Sequence, residues 1–136
     1  MLKTLLSNSV EQISIKEAAK TNAIFLDART KAEYNVSHIE GSIWVGYENF
    51  QLDAIDQLPR DKQIIVYCSV GYRSEKIGEK LKSAGFINTY NLYGGIFEWV
   101  NTGKEIVNSS GEPTRQVHAY NKVWGVWLNK GQKVYK

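Results

Sequence analysis

Residues 63–74 read Gln63-Ile64-Ile65-Val66-Tyr67-Cys68-Ser69-Val70-Gly71-Tyr72-Arg73-Ser74. The first five form an unbroken, largely β-branched run, the composition of a strand covered on both faces. Cys68 stands at the end of that run, and a helical pattern over Ser74 to Ala84 follows the loop. Ile77, Leu81 and Ala84 fall at i, i+4 and i+7, while Glu75, Lys76, Glu79, Lys80 and Lys82 take the remaining surface. Gly85 suits the helix end. A buried strand, a tight loop and an amphipathic helix make one unit of an α/β protein.

The pattern repeats on either side. Upstream, Ser14 to Lys20 predicts a short helix opened by a capping box of Ser14 and Glu17. Ala23-Ile24-Phe25-Leu26-Asp27 predicts a second covered strand, Thr30 to Asn35 one or two helical turns, and Ser42 to Val45 a short strand. Phe50, Leu52, Ile55 and Leu58 predict a helix over Asn49 to Leu58, stopped by Pro59. Downstream, Asn88 to Leu92 predicts a strand, and Gly94-Gly95 opens a helix that runs through Val100 and closes at Gly103. Alternating strands and helices give an α/β class, with a mostly parallel sheet covered on both sides. Residues 104–114 read as a connecting loop. Tyr120, Val123, Trp124, Trp127 and Leu128 then fall at helical spacing, predicting an amphipathic C-terminal helix that ends near Gly131 and docks on the body or on a second chain.

Composition narrows the function classes. A chain of 136 residues with 43% apolar and 23% charged residues is one packed domain with a small appendage. No apolar run approaches the roughly 18 residues of a membrane-spanning helix, and Met1 to Asn8 lacks the apolar stretch of a signal peptide, so a cytoplasmic chain without membrane contact is expected. The single cysteine excludes an internal disulfide, and with two histidines it argues against a zinc cluster. Residues 1–103 carry 11 Lys+Arg and 12 Asp+Glu, whereas residues 104–136 carry 6 and 2. The net charge of +3 therefore belongs to the tail, and the body offers no basic face for nucleic acid.

The chemistry points to Cys68-Ser69-Val70-Gly71-Tyr72-Arg73-Ser74. Ligand sites of open α/β sheets sit at the carboxyl ends of strands. A helix N-terminus presents unsatisfied amides to an anion, and successive amides curl into a cradle for an oxyanion or a sulfur atom. Gly71 permits an unusual turn, and Arg73 adds a fixed charge. Such a setting favours the thiolate, the nucleophilic form of cysteine. A buried core thiol is the other reading of a lone strand-end cysteine, but a core thiol needs neither the glycine nor the arginine.

These residues resemble the rhodanese-like domain. The loop Cys68 to Ser74 is similar to the family's CxxGxR[ST] form. Asp27-Ala28-Arg29-Thr30-Lys31-Ala32-Glu33-Tyr34 with His38-Ile39-Glu40-Gly41-Ser42-Ile43 is similar to its N-terminal signature, and Leu92-Tyr93-Gly94-Gly95-Ile96-Phe97-Glu98-Trp99 to its C-terminal one. The resemblance covers about residues 8 to 105, giving a domain over 1–105 and a C-terminal extension with a Trp-rich helix over 106–136.

The resemblance implies a three-layer, five-stranded parallel sheet with helices on both faces, and a ping-pong sulfur transfer. In that reaction Cys68 takes a sulfane sulfur from a small anionic donor such as thiosulfate and passes it to cyanide or a thiol, with no metal and no organic cofactor. The amides of Ser69, Val70, Gly71, Tyr72, Arg73 and Ser74 would hold the persulfide, and Arg73 would help bind the donor, unless it only forms a salt bridge that shapes the loop. Arg29 is a further substrate-binding candidate, although pairing with Asp27 is the plainer role. Glu33 and His38 read as hydrogen-bonding scaffold, Gly94 and Gly95 as sites of close backbone approach, and Trp99 as core. Ser37 stands where the family often has glycine, so the turn there differs or is strained. Arg73 makes the loop C-x4-R, one residue shorter than the C-x5-R of tyrosine phosphatases, which places phosphatase or arsenate reductase chemistry behind sulfur transfer. The competing class is a persulfide carrier or binding module acting with a protein acceptor. A monomer is expected.

Overall fold

A computed structural model describes residues 10–50, 52–118 and 132–134. Strands β1 (Gln12–Ile13), β2 (Ile24–Asp27), β3 (Ile43–Trp44), β4 (Ile64–Tyr67) and β5 (Thr89–Leu92) form one sheet in the order β1-β5-β4-β2-β3. Every pairing in it is parallel. The helices are α1 (Ile15–Ala18), α2 (Lys31–Val36), α3 (Tyr72–Ser83) and α4 (Gly95–Asn101).

Strand β4 is central, and all four of its residues are buried. Alternation divides its side chains between two cores. Ile64 and Val66 pack with Leu26, Ile77, Leu81 and Phe86 on the α3 side. Ile65 and Tyr67 pack with Ile15, Leu92, Ile96, Phe97 and Trp99 on the face of α1 and α4. Helices on both faces therefore cover a five-stranded parallel sheet. Chain order reverses between β2 and β4, and at such a switch point the loops after the two strands diverge and leave a crevice.

Some local expectations change. In place of the helix expected over Asn49 to Leu58, the described residues from Leu52 on make a 3-10 turn at Leu52–Ala54 followed by turns. Leu52, Ile55 and Leu58 recur every three residues, the period of a 3-10 helix, and the Leu52 and Ile55 carbonyls accept from the Ile55 and Leu58 amides. Residues 104–114 are not simply a loop. Here β6 (Ile106–Val107) pairs antiparallel with β7 (Pro113–Thr114). Asn108 organises the turn, its side-chain oxygen accepting from Ser110 and Glu112 amides. Val107 exchanges two backbone hydrogen bonds with His38. Ile106 and Val117 join the core around Trp99. Strand β8 (Gln116–His118) pairs parallel with β9 (Gln132–Val134). The helix expected around Tyr120 to Leu128 lies outside the described residues. Ser37 has an extended φ of −169°, so nothing there requires glycine. No helix among the described residues is long and apolar enough to cross a membrane.

Candidate active site

Cys68 leaves the end of β4 with only 1% of its surface exposed, at the boundary of a cavity of about 400 Å³. The cavity lies beyond the carboxyl ends of the strands. Arg29 and Thr30 follow β2; Trp44, Gly46 and Tyr47 end or follow β3; and Cys68, Ser69, Val70, Tyr72 and Arg73 follow β4.

Gly71 is the N-cap of α3 at φ +112°, a conformation costly for any residue with a Cβ. That turn directs its amide back to Cys68 Sγ at 3.1 Å. Tyr72, Arg73 and Ser74 supply the first amides of α3, which have no intrahelical acceptor. The one hydroxyl proton of Ser74 has three acceptors in reach: Sγ at 3.4 Å, the Gly71 carbonyl at 3.1 Å and Asn91 Oδ1. A thiolate competes for that proton better than a thiol does. Asn91, fully buried on β5, also donates through Nδ2 to the Gly71 carbonyl at 2.9 Å, which locks the turn. Asn91 carries no motif signal beyond being a polar residue in a covered strand, and sequence reasoning passed over it.

From behind, α4 fastens the same loop. Ile96 and Phe97 amides donate to the Cys68 and Ser69 carbonyls at 2.9 and 3.1 Å. A Cβ on Gly95 would collide with both carbonyl oxygens and approach the Ser69 carbonyl carbon to 2.7 Å. That is the close backbone approach expected of the Gly94-Gly95 pair, found at Gly95; a Cβ on Gly94 would meet the Glu98 side chain instead.

Both arginines are paired. Arg29 has no exposed surface. Its Nε and Nη2 bind the two Asp27 oxygens at 2.9 and 2.6 Å, and Nη2 also donates to the Ser37 carbonyl. Tyr67, itself buried, donates its hydroxyl to Asp27 and accepts from the Ile39 amide. Burial and the Asp27 charge hold the Tyr67 phenol well above its ordinary range.

Arg73 grips Glu33 with two bonds of 2.8 and 2.9 Å. Glu33 reaches that place through the capping box of α2, in which its carboxylate accepts from the Thr30 amide while Thr30 Oγ1 accepts from its own. Ser69 closes the cluster, donating to Glu33 Oε2 at 3.1 Å and accepting from Arg73. Burial works to raise the Glu33 carboxyl, but the Arg73 bonds and charge, the Arg29 charge and the Thr30 amide outweigh it and hold the group at about 2.

Of the loop residues, Cys68, Ser69, Val70, Tyr72 and Arg73 line one cavity edge, while Gly71 and Ser74 bond to Cys68 Sγ without lining it. Arg73 borders that cavity with its charge matched by Glu33, and Arg29 borders it with its charge matched by Asp27. Five cavity residues escaped the sequence reading, Trp44, Gly46, Tyr47, Glu48 and Asn49, on a stretch with no chemical motif, and Thr30 figured there only as a helix start and within the N-terminal signature. His38 stacks on Tyr34 at 3.9 Å and binds its carbonyl, away from the cavity lining. Among the described residues, no group of three or more His, Cys, Asp or Glu is placed to hold a metal ion.

A sequence model of the family described as the rhodanese-like domain matches residues 11–102. Among curated proteins, the chain is 38% identical over 89 residues to the tRNA uridine(34) hydroxylase of Hamiltonella defensa and 37% identical over 89 residues to that of Yersinia pestis. Each match covers 62% of this chain but only 25% of the relative, so the chain spans about a quarter of the length of those proteins. Among solved structures, the rhodanese-like domain of an Anabaena sp. protein superposes with a TM-score of 0.64 at 25% identity, covering 71% of this chain and 78% of that one. A rhodanese-related protein from Thermoplasma volcanium gives 0.59 at 26% identity over 71% and 97% of the two chains. A Bacillus halodurans protein at 22% identity and a TM-score of 0.67 shares the fold over 80% of this chain and 85% of its own.

Proposed function

The chain belongs to the rhodanese-like domain family, and from that premise we propose that it transfers a sulfane sulfur from a donor such as thiosulfate, through a persulfide on Cys68, to cyanide or a thiol. The observation that carries this reading is Sγ of cavity-lining Cys68 accepting the Gly71 amide at the N-terminus of α3. Attack of the Cys68 thiolate on the outer sulfur of thiosulfate forms a new S–S bond. The electron pair of the old bond leaves with sulfite, and the enzyme holds a persulfide anion. Attack of cyanide on the outer sulfur then gives thiocyanate and returns the thiolate. Both steps balance without a metal, a base or an external electron carrier. The Gly71 amide, the Ser74 hydroxyl and the first amides of α3 serve the anionic sulfur throughout. The pairing of Arg73 with Glu33 supports a loop-shaping role for this arginine over the phosphate clamp of a phosphatase.

Intact-mass analysis after thiosulfate treatment tests the reading. Wild type is expected to gain one sulfur atom, and Cys68→Ser none. A wild-type protein that gains no sulfur from any sulfane donor overturns it.

A second reading, sulfur delivery to a protein partner, is favoured by Tyr72 and Tyr93. These are 40% and 37% exposed and stand just beyond β4 and β5 at the Cys68 end of the sheet. The hydroxylation of tRNA uridine 34 named for the relatives belongs to much longer proteins, in which a domain of this kind would act beside others. Faster sulfur transfer from loaded Cys68 to a protein thiol than to small thiols would distinguish this reading.

A further inference from the structure

Resting on that sulfur-transfer reading, we infer that the physiological sulfur carrier is an organic hydropersulfide with an aromatic or apolar body, seated between Trp44, Tyr47 and Tyr72, and that inorganic thiosulfate is a poor fit. Three observations carry this. The first is charge. Thiosulfate is a dianion, and Arg73 was its expected partner. Both guanidiniums at the cavity are matched by buried carboxylates, Arg29 by Asp27 and Arg73 by Glu33. Glu48, exposed on the cavity wall, adds a negative charge, and Lys31, over the Trp44 ring at 4.8 Å, adds a positive one. The side-chain charges named here cancel, so that beside Arg29 Nη1, buried without a hydrogen-bond partner, it is helix-terminal amides that serve an anion, and these suit one sulfur anion better than a free dianion.

The second observation is size. A cavity of about 400 Å³ falls within the range that holds organic ligands, roughly 300–1,000 Å³. A five-atom dianion would leave most of it to water. The third is the wall. Trp44 is held in place by donating its indole N–H to the Arg29 carbonyl at 2.8 Å, which fixes the indole in the cavity that Cys68 also lines. Tyr47 and Tyr72 border the same space. Aromatic faces reward a flat, weakly charged body and give nothing to a hydrated oxyanion.

The chemistry is that of the first half-reaction. Cys68 thiolate attacks the outer sulfur of R–S–SH. The outer sulfur joins Sγ with its proton, the old S–S bond breaks, and its electron pair leaves with the thiolate R–S⁻. No net oxidation occurs.

Stable probes make this testable in the full-length protein. Benzenethiosulfonate, methanethiosulfonate and thiosulfate all present a terminal sulfane sulfur, and differ in body and charge. The rate of sulfur loading on Cys68 is followed by rapid-quench intact mass for each, and divided by that donor's rate with free glutathione to remove intrinsic reactivity. The expected order is benzenethiosulfonate above methanethiosulfonate by about tenfold, the worth of one well-packed ring, with thiosulfate last. Trp44→Ala and Tyr47→Ala are each expected to shrink the benzene-to-methane ratio severalfold. Thiosulfate loading fastest, or ratios near one that neither variant changes, overturns the organic carrier and leaves sulfur transfer standing. Loading by none of the three, in protein whose Cys68 still reacts with iodoacetamide, overturns both.

Discussion

Replacing Glu33 by Gln keeps the side-chain shape and one oxygen for the α2 cap, removes the charge, and turns the other oxygen, which accepts from Ser69 and Arg73, into an amide donor. The structure sets the expected cost by two routes. The Glu33 side chain is fully buried and its Arg73 partner 11% exposed, so the variant removes the carboxylate that neutralises a guanidinium in a poorly hydrated site. Breaking a buried pair on one side costs about 3–5 kcal/mol. Independently, the carboxyl is held at about 2 against an ordinary 4.5, and that displacement corresponds to roughly 3 kcal/mol of preference for the charged form. Urea denaturation at pH 7 is expected to show a loss near that size, and thermal melting a drop of about 10 °C. The pH dependence has a fixed sign. A carboxyl depressed on folding stabilises fully above its unfolded value near 4.5, and that contribution disappears as pH falls towards about 2. The gap between wild type and Glu33→Gln should therefore close across that window. Arg73→Met in the same chain removes the stranded charge, so the double variant should be more stable than the sum of the single losses predicts. A loss below about 1 kcal/mol at pH 7, or a gap indifferent to acid, would refute the argument.

Two further variants probe the loop. Gly95→Ala drives a methyl into the Cys68 and Ser69 carbonyls at a residue of φ +63°, and is expected to cost at least about 3 kcal/mol in urea denaturation; a loss under 1 kcal/mol would mean that α4 does not fasten the loop. Ser74→Ala removes a hydroxyl donor from Sγ, so alkylation of Cys68 by iodoacetamide at pH 7 should slow about threefold to tenfold, the worth of one hydrogen bond. An unchanged rate would remove Ser74 from the machinery that serves the sulfur.

Much of the fold was legible because its signals are local. The run Ile64–Tyr67 is covered on both faces as its composition requires, and Gly71 and Gly95 both take a positive φ, Gly95 where the Cys68 and Ser69 carbonyls press close. The candidate site was legible up to its charges. Arg73 reads in sequence as a cation available to an anion, because the carboxylate that claims it lies 40 residues away. Pairing at that separation depends on the order of the strands, which no window of residues contains. Asn91 was hidden for the same reason: its partners Ser74 and Gly71 come from another strand–helix unit. The short 3-10 turn at Leu52–Ala54 shows a different limit, since a period near three and one near 3.6 are hard to separate over ten residues.

The fastening of the loop by α4 has a consequence for its polarity. A trans peptide directs its carbonyl and its amide to opposite sides of the chain. With the Cys68 and Ser69 carbonyls turned towards the Ile96 and Phe97 amides, the amides of Ser69 and Val70 are obliged to face the other way. The orientation of dipoles around the sulfur is thus inherited from a helix that contributes no side chain to the cavity lining. Evolution of new donors can then proceed by exchanging wall residues such as Trp44 and Tyr47, while the electrostatic setting of the sulfur stays constant, imposed from the opposite face of the sheet.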